Sequence, residues 1–247
     1  MNPSYASSLS SSVKNYKYEP NDKEEQDRMD LLHHIYLLLL GGELHLAPIA
    51  KNPQRVLELG TGTGIWAIQF ADEYPSAQVI GTDLSPIQPP WVPPNCTFEI
   101  DDFENDCLYK TKFDFIHAHD DTIKKAENCQ LLLKNLHTAA NKFGKTLDNV
   151  HLWKEKVEKA GFVDVKESVF KVPIGPWPKD PKLKEIGRYQ QYQQIQALEF
   201  YTPALLSRVL GWNNMEIQVI LSKAQSELKD HSIHLYTTVH YVYGRKP

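Results

Sequence analysis

Eleven residues, Val56–Trp66 (VLELGTGTGIW), constrain this chain more than any other stretch. The apolar run Arg55–Leu59 meets glycines at 60, 62 and 64, and a helical pattern over Ile65–Glu73 begins at once and ends before Pro75. Buried parallel strands read as short apolar runs of this kind, and glycine reaches the positive φ of a tight strand-to-helix turn without penalty. Gln78–Asp83 (QVIGTD) is a second such strand, closed by an acid. Strand, glycine turn, helix and strand make one βαβ unit, which predicts an α/β fold around a parallel sheet.

The spacing also selects among ligands. A dinucleotide fingerprint, G-x-G-x-x-G, needs its third glycine where this chain has Ile65, and it seats pyrophosphate on the helix N-terminus. That counts against an oxidoreductase. S-adenosylmethionine has no phosphate and carries a sulfonium and an ammonium, which a glycine turn beside a carboxylate serves better. Glu58, two residues ahead of Gly60, supplies that carboxylate. Asp83 stands 19 residues after Gly64, at the end of the second strand, where one carboxylate accepts from both hydroxyls of a ribose. After a third strand candidate, Thr97–Ile100, come Asp101 and Asp102, acceptors for an adenine amino group, and Phe103, an aromatic face for its ring.

Residues 1–22 hold six serines and hardly an aliphatic side chain, which predicts a disordered tail ahead of one domain over 23–247. Met29, Leu32, Ile35, Tyr36 and Leu39 form one helical stripe within Glu24–Leu40, capped by Asn21 or Asp22 and stopped by Gly41 and Gly42. Lys112–His117 (KFDFIH) is a fourth strand candidate. Then the alternation stops. Leu132, Leu136, Ala140 and Phe143 make a helical stripe closed by Gly144. Asp148 caps a further helix whose buried side is Val150, Trp153, Val157 and Ala160. Val163–Val172 reads as a strand with a change of phase near Ser168, the mark of a bulge. A helix over Lys182–Phe200 follows a proline-marked loop, and Thr202-Pro203 opens another helix to Leu210. Asn213 with Glu216 is a capping box for a last helix with the stripe Ile217, Ile220, Leu221, Ala224 and Leu228. A β-branched and aromatic strand, Ile233–Tyr243, closes the chain, and no internal repeat is present.

Composition removes several classes. With 27 basic against 31 acidic residues the net charge is −4, which gives no sequence-wide attraction to nucleic acid or anionic lipid. The most apolar run, Leu31–Leu40, is half the ~20 residues a membrane span needs and contains two histidines. Cys96, Cys107 and Cys129 match neither zinc spacing nor an even disulfide framework, so they read as reduced thiols. With no secretory pattern at the start, cytoplasm or nucleus is the expected compartment.

LLHHIYLLLL, the run from RVLELGTGTGIW through PPWVPPN, FDFIHAH, KVPIGPWPKDPKLKEIGRYQ, LLSRVLGW and VYGRKP resemble the LaeA-like class I methyltransferases of filamentous fungi, regulators associated with secondary metabolism. The resemblance runs from about residue 24 to the C-terminus. It implies a Rossmann-like, mainly parallel sheet with an antiparallel C-terminal strand, extra C-terminal helices, and S-adenosylmethionine bound by Glu58, Gly60, Thr61, Gly62, Gly64, Asp83, Asp102 and Phe103, with Asp101 beside them. It also implies methyl transfer to an acceptor it does not identify, small molecule or protein, and regulatory protein partners. The departure is equally specific. In such methyltransferases the strand equivalent to KFDFIH leads to a helix, a turn commonly containing Pro-Gly-Gly, and a fifth strand. Here no proline or glycine occurs between His119 and Phe143. The chain is therefore expected to be short of one helix and one strand, on the order of 30 to 40 residues. These pieces border the acceptor side, so the alternative to an enzyme is a cofactor-binding or scaffold protein.

Transfer from a sulfonium needs chiefly an aligned nucleophile, so no obligatory catalytic residue is implied. His117 and His119, at a strand's C-terminal end, are placed to act as a base for a neutral acceptor. His33 and His34 are adjacent and point to different helix faces, which argues against a shared metal. Trp66 and Trp91 serve either as aromatic walls for the sulfonium or as packing. Ile186, Tyr189, Gln193 and Gln196 mark the QQYQQIQ stretch as a solvated amphipathic helix.

Overall fold

The computed structural model describes residues 22–103, 109, 111–118, 122–124, 127–142, 144 and 150–247. The expected serine-rich tail, Cys107, His119, Phe143 and Asp148 lie outside the described residues. The chain divides into two compact units, Met1–His33 with Pro48–His119, and His34–Ala47 with Asp120–Pro247.

α1 (Lys23–Leu40), which belongs to the first unit as far as His33, starts at Asp22, whose Oδ1 accepts from Glu25 N at 2.9 Å. β1 (Arg55–Leu59), α2 (Ile65–Glu73), β2 (Gln78–Asp83), β3 (Cys96–Ile100) and β4 (Phe115–Ala118) follow. The four strands form one parallel sheet in the order β3-β2-β1-β4. β1 and β2 are buried along their middles, as strands flanked on both sides must be. Trp66, Ala67, Phe70 and Ala71 are the buried side of α2, and each large apolar side chain so removed from water contributes roughly 1.5–3 kcal/mol. Asn95 fastens the approach to β3, its Nδ2 donating to the carbonyls of Ala71 and Ala77 at 3.0 and 2.9 Å. At the amino ends of β1 and β4, Asp114 accepts from the N–H groups of Gln54 and Arg55 at 2.8 and 3.0 Å, and these bonds hold its carboxyl below the usual range. Burial pushes the Cys96 thiol up to about 11.

β4 begins three residues later than expected from KFDFIH, and its exposures alternate, with Ile116 54% exposed. It pairs only with β1 among the described strands, so half of its pattern is that of an edge strand rather than a buried one.

The second unit contains β5 (Thr122–Lys124), α3 (Glu127–Lys142), a 3-10 turn (Val150–Leu152), α4 (Trp153–Lys159), β6 (Val163–Pro173), α5 (Pro181–Leu210), α6 (Asn214–Lys229) and β7 (Tyr236–Arg245). The expected antiparallel C-terminal strand is present, and it forms the centre of a separate sheet, β5-β7-β6. Three residues of β5 are too few for a period-2 signal, which is why the sequence shows none there. The irregularity in β6 falls between Val163 and Lys166, where Asp164 has φ 56°, and not at Ser168. Asp164 is held there by Arg245, whose NH2 group donates to Oδ2 at 2.8 Å.

Helix packing corrects three further expectations. Thr202-Pro203 does not open a new helix: α5 runs through Pro203 for 30 residues, and Thr202 is fully buried inside it. An interior proline costs about 3 kcal/mol, offset here because Leu198 and Leu206, one turn either side of Thr202, join the core of Cys129, Leu132, Leu136, Ile217, Leu221 and Leu228. The glutamine stretch is not a solvated face. Gln190 and Gln193 are each 3% exposed, and the Gln191 side chain donates to the Leu228 carbonyl at 2.7 Å. Of the stripe expected to be buried, Val150 is buried in the 3-10 turn and Val157 is half-buried, whereas Ala160 is exposed and Trp153 lies 42% exposed beside Lys156. The capping box of α6 is as expected, with Glu216 N on Asn213 Oδ1 at 3.0 Å and Asn213 N on Glu216 Oε2 at 2.9 Å.

Candidate functional site

The carboxyl end of β1 carries the glycine turn. Gly60, Gly62 and Gly64 have φ of 67°, 56° and 81°, values that side chains strongly disfavour. Gly64 is required twice over. A Cβ there would lie 2.3 Å from Cζ of Phe98, and the same ring would meet a Cβ on Gly81 at 2.7 Å. Phe98 on β3 is thus seated across two glycines, a contact that spacing within the turn does not reveal. At Gly60 a Cβ would meet nothing within 4 Å, so the backbone there faces open space.

Both acids singled out by spacing grip this turn. Asp83 Oδ2 accepts from Gly62 N at 2.8 Å while Oδ1 accepts from Ser85 N at 2.9 Å. Thr61 N donates to Thr82 O at 2.8 Å, which joins the turn to β2 a second time. Glu58 is 2% exposed. Its carboxylate accepts from the Thr61 hydroxyl and from Ala67 N–H in the first turn of α2. Burial pushes its carboxyl up to about 8 against those two bonds, and the nearby charge of Asp83 adds to the rise. A cation brought beside Glu58 would restore its negative charge.

Asp101 N donates to Asp83 O at 3.1 Å, so the Asp101-Asp102 pair continues from β3 next to Asp83, along the carboxyl ends of the strands where ligands of open α/β sheets bind. The ring of Phe103, directly after them, is 56% exposed. Glu58, Thr61, Gly62 and Asp83 are therefore tied together at the carboxyl ends of β1 and β2, with the backbone of Asp101 bonded to that of Asp83.

Other candidates are placed elsewhere. Trp66 is 3% exposed and stacks on Phe70 and on His117, whose ring lies 4.0 Å away and 9° from parallel. His117 thus packs on the core of the unit, opposite Glu58 in the β1–β4 register. Trp91 is 91% exposed. Among the described residues no group of three His, Cys, Asp or Glu side chains is placed to hold a metal, and no helix is long and apolar enough to cross a membrane.

Sequence reasoning missed the part played by α1. Thr63 Oγ1 donates to Asp30 Oδ1 at 2.6 Å, the Met29 sulfur lies 3.2 Å from where a Gly62 Cβ would stand, and His33 Nε2 is 2.9 Å from Gln69 Oε1. Gln88 was missed too; its Nε2 donates to Gly62 O at 2.5 Å. Neither carries a local signal, since both act only across the tertiary fold.

A family model described as a methyltransferase domain matches residues 18–165, a span that runs from the first unit into the second. The chain belongs to that family, and its class is the S-adenosylmethionine-dependent methyltransferases related to fungal regulators of secondary metabolism. Among relatives, it is 33% identical to "Methyltransferase pytC" of Aspergillus terreus over 99% of this chain and 92% of that protein. It is 31% identical to "Secondary metabolism regulator LAE1" of Cochliobolus heterostrophus over 94% and 90% of the two chains. The alignment with pytC extends over 298 residues against the 247 of this chain, so at least 51 aligned positions of that relative have no counterpart here. A solved phosphoethanolamine N-methyltransferase 2 of Haemonchus contortus, in complex with phosphomonomethylethanolamine and S-adenosylhomocysteine, gives a TM-score of 0.45 at 15% identity. That likeness covers 95% of this chain, which spans 57% of the solved one.

Proposed function

We propose that the chain binds S-adenosylmethionine at the glycine turn and transfers its methyl group to an acceptor in fungal secondary metabolism. The observation that carries this reading is the double grip of Asp83 and Glu58 on one turn, with open space at Gly60 between them. Bound there, S-adenosylmethionine supplies an electrophilic methyl on a sulfonium. In this reading Asp83 accepts from the ribose hydroxyls with lone pairs beyond those on Gly62 and Ser85. Asp101, Asp102 and Phe103 take the adenine, and Glu58 faces the positive end. Thr61 and the glycines let the backbone approach closely. The acceptor presents its lone pair in line with the methyl–sulfur bond, and proximity with exclusion of water supplies the rate.

Calorimetry with S-adenosylmethionine on the purified chain and on Asp83→Ala tests the cofactor assignment. Binding heat for the first and none for the second is expected; equal heats, or none for either, would sink it.

A second reading is favoured by the 51 positions without counterpart and by β4 having one partner among the described strands: a cofactor-binding scaffold that has lost its acceptor side. Incubation with tritiated S-adenosylmethionine and fungal extract separates the two. Labelled product supports the enzyme, and binding without label over repeated extracts supports the scaffold.

A further inference from the structure

A helix with one buried stripe ordinarily turns polar side chains to water, and α6 does not. Its stripe Ile217, Ile220, Leu221, Ala224 and Leu228 is buried, yet Met215 and Val219 on its outer side are 77% and 51% exposed. α3 lies alongside within the second unit, fixed by Glu227 Oε2 on Asn128 N at 2.9 Å and by Cys129 Sγ, 3.6 Å from Ala224 O. It adds Leu131, 50% exposed. Between the two helices runs a groove of about 430 Å³, whose apolar wall is Leu131, Trp212, Met215, Val219 and Ile220. Glu216 and Lys223 line it as well. An apolar strip set among charges is the usual form of a protein interaction site.

The charges identify what covers it. Glu216 and Lys223 are both exposed and stand two turns apart, about 10 Å along the axis and within about 20° around it, with Val219 between them. Glu216 commits Oε2 to Asn213 N at 2.9 Å, which leaves Oε1 for another donor. Lys223 makes no ion pair with a described residue. Turned end over end about a point between Val219 and Ile220, the helix becomes its own complement. Glu216 then faces Lys223, Lys223 faces Glu216, and Val219 meets Val219 close to the axis. No two like charges of α6 share a level in that register. A partner of another sequence requires no such symmetry within one helix, whereas an isologous contact between identical chains does.

We propose that the face formed by α3 and α6 binds a second copy of this chain. The two α6 helices pack antiparallel about a two-fold axis, Val219 at the centre and Glu216 on Lys223 of the second copy at both ends. This is independent of the cofactor reading. The strip is small beside the roughly 1,600 Å² of a standard interface, so the dimer is reversible rather than permanent.

Sedimentation velocity on the full chain, from about 1 to about 100 μM, should show a monomer–dimer equilibrium. Lys223→Glu and Glu216→Lys each set like charges opposite one another twice, so each variant alone should raise the dimer Kd about tenfold or more. An equimolar mixture of the two places opposite charges at both ends and should form a mixed dimer at close to wild-type strength. Glu216→Lys also removes half of the α6 capping box, so helix content is compared by circular dichroism. Val219→Arg keeps that box and sets like charges at the axis, so it should abolish the dimer whatever Glu216→Lys does to the helix. A wild type that stays monomeric throughout overturns the proposal, and the groove then takes a different protein or a segment of its own chain. A dimer indifferent to Lys223→Glu and Val219→Arg uses another face and also overturns it. Loss in both single charge variants without recovery in the mixture overturns the antiparallel pairing.

Discussion

In each of the two units a glutamate meets the start of a helix, and the two end in opposite states. Glu58 accepts from Ala67 N–H in the first turn of α2 and from the Thr61 hydroxyl. Glu227 accepts from the N–H groups of Asn128 and Cys129 in the first turn of α3, at 2.9 and 3.0 Å, and from the Asn128 side chain. Burial lifts the Glu58 carboxyl to about 8. Burial opposes ionisation of Glu227 too, yet it is only half-buried, and the backbone and amide donors outweigh the penalty and hold its carboxyl below the usual range. The difference shows how water access decides the outcome of one arrangement. A carboxylate at a wet helix start is a permanent cap, whereas one sealed beneath the glycine turn is held protonated to a higher pH.

The sharpest way to break the first region is Gly64→Ala. Its Cβ would enter the Phe98 ring at a φ that alanine disfavours, and a loss of about 3 kcal/mol is expected by denaturant unfolding. Phe98→Ala in the same chain should recover part of that loss; no recovery would separate the two residues.

Acidity distinguishes the two regions next. Glu58 titrates at 4.5 unfolded and about 8 folded, so between those values the folded state holds the extra proton. Stability of the first unit should fall as pH rises through that window, by on the order of 1 kcal/mol per pH unit, and be level outside it. Glu58→Gln should flatten the slope in amide exchange of β1 and β2; an unchanged slope would assign it to another group.

Glu227→Ala should cost about 1.5 kcal/mol by removing the cap of α3. Its pH sign is the reverse. With a folded pKa below the unfolded one, its contribution is present above the ordinary carboxylate range and is lost as pH falls through the lowered value. Loss of the cap at neutral pH with no change at low pH is the expected pattern in thermal melts.

The smallest effect belongs to Asn213→Ala. It breaks the capping box of α6 for about 1 kcal/mol and should raise amide exchange in the first turn of that helix alone.

The strand, turn, helix and strand of residues 55–83 were legible because each carries a local signal: apolar runs, three glycines and an acid at a strand end. The α6 capping box was legible for the same reason. Pro203 misled because a strong local breaker yields to Leu198 and Leu206 packed on either side of it. Gln190 and Gln193 misled because polarity suggests solvent, and only tertiary neighbours bury them.

By itself, then, the order of residues determined that a parallel α/β core would end in a glycine turn flanked by Glu58 and Asp83, since backbone conformation and strand ends are short-range matters. Only the tertiary structure decided that Phe98 would require Gly64, that Glu58 would be sealed beneath the turn, and that α1 would bring Asp30 to Thr63. Burial and contacts between residues 33 or more positions apart are properties of the folded chain, and no local pattern encodes them.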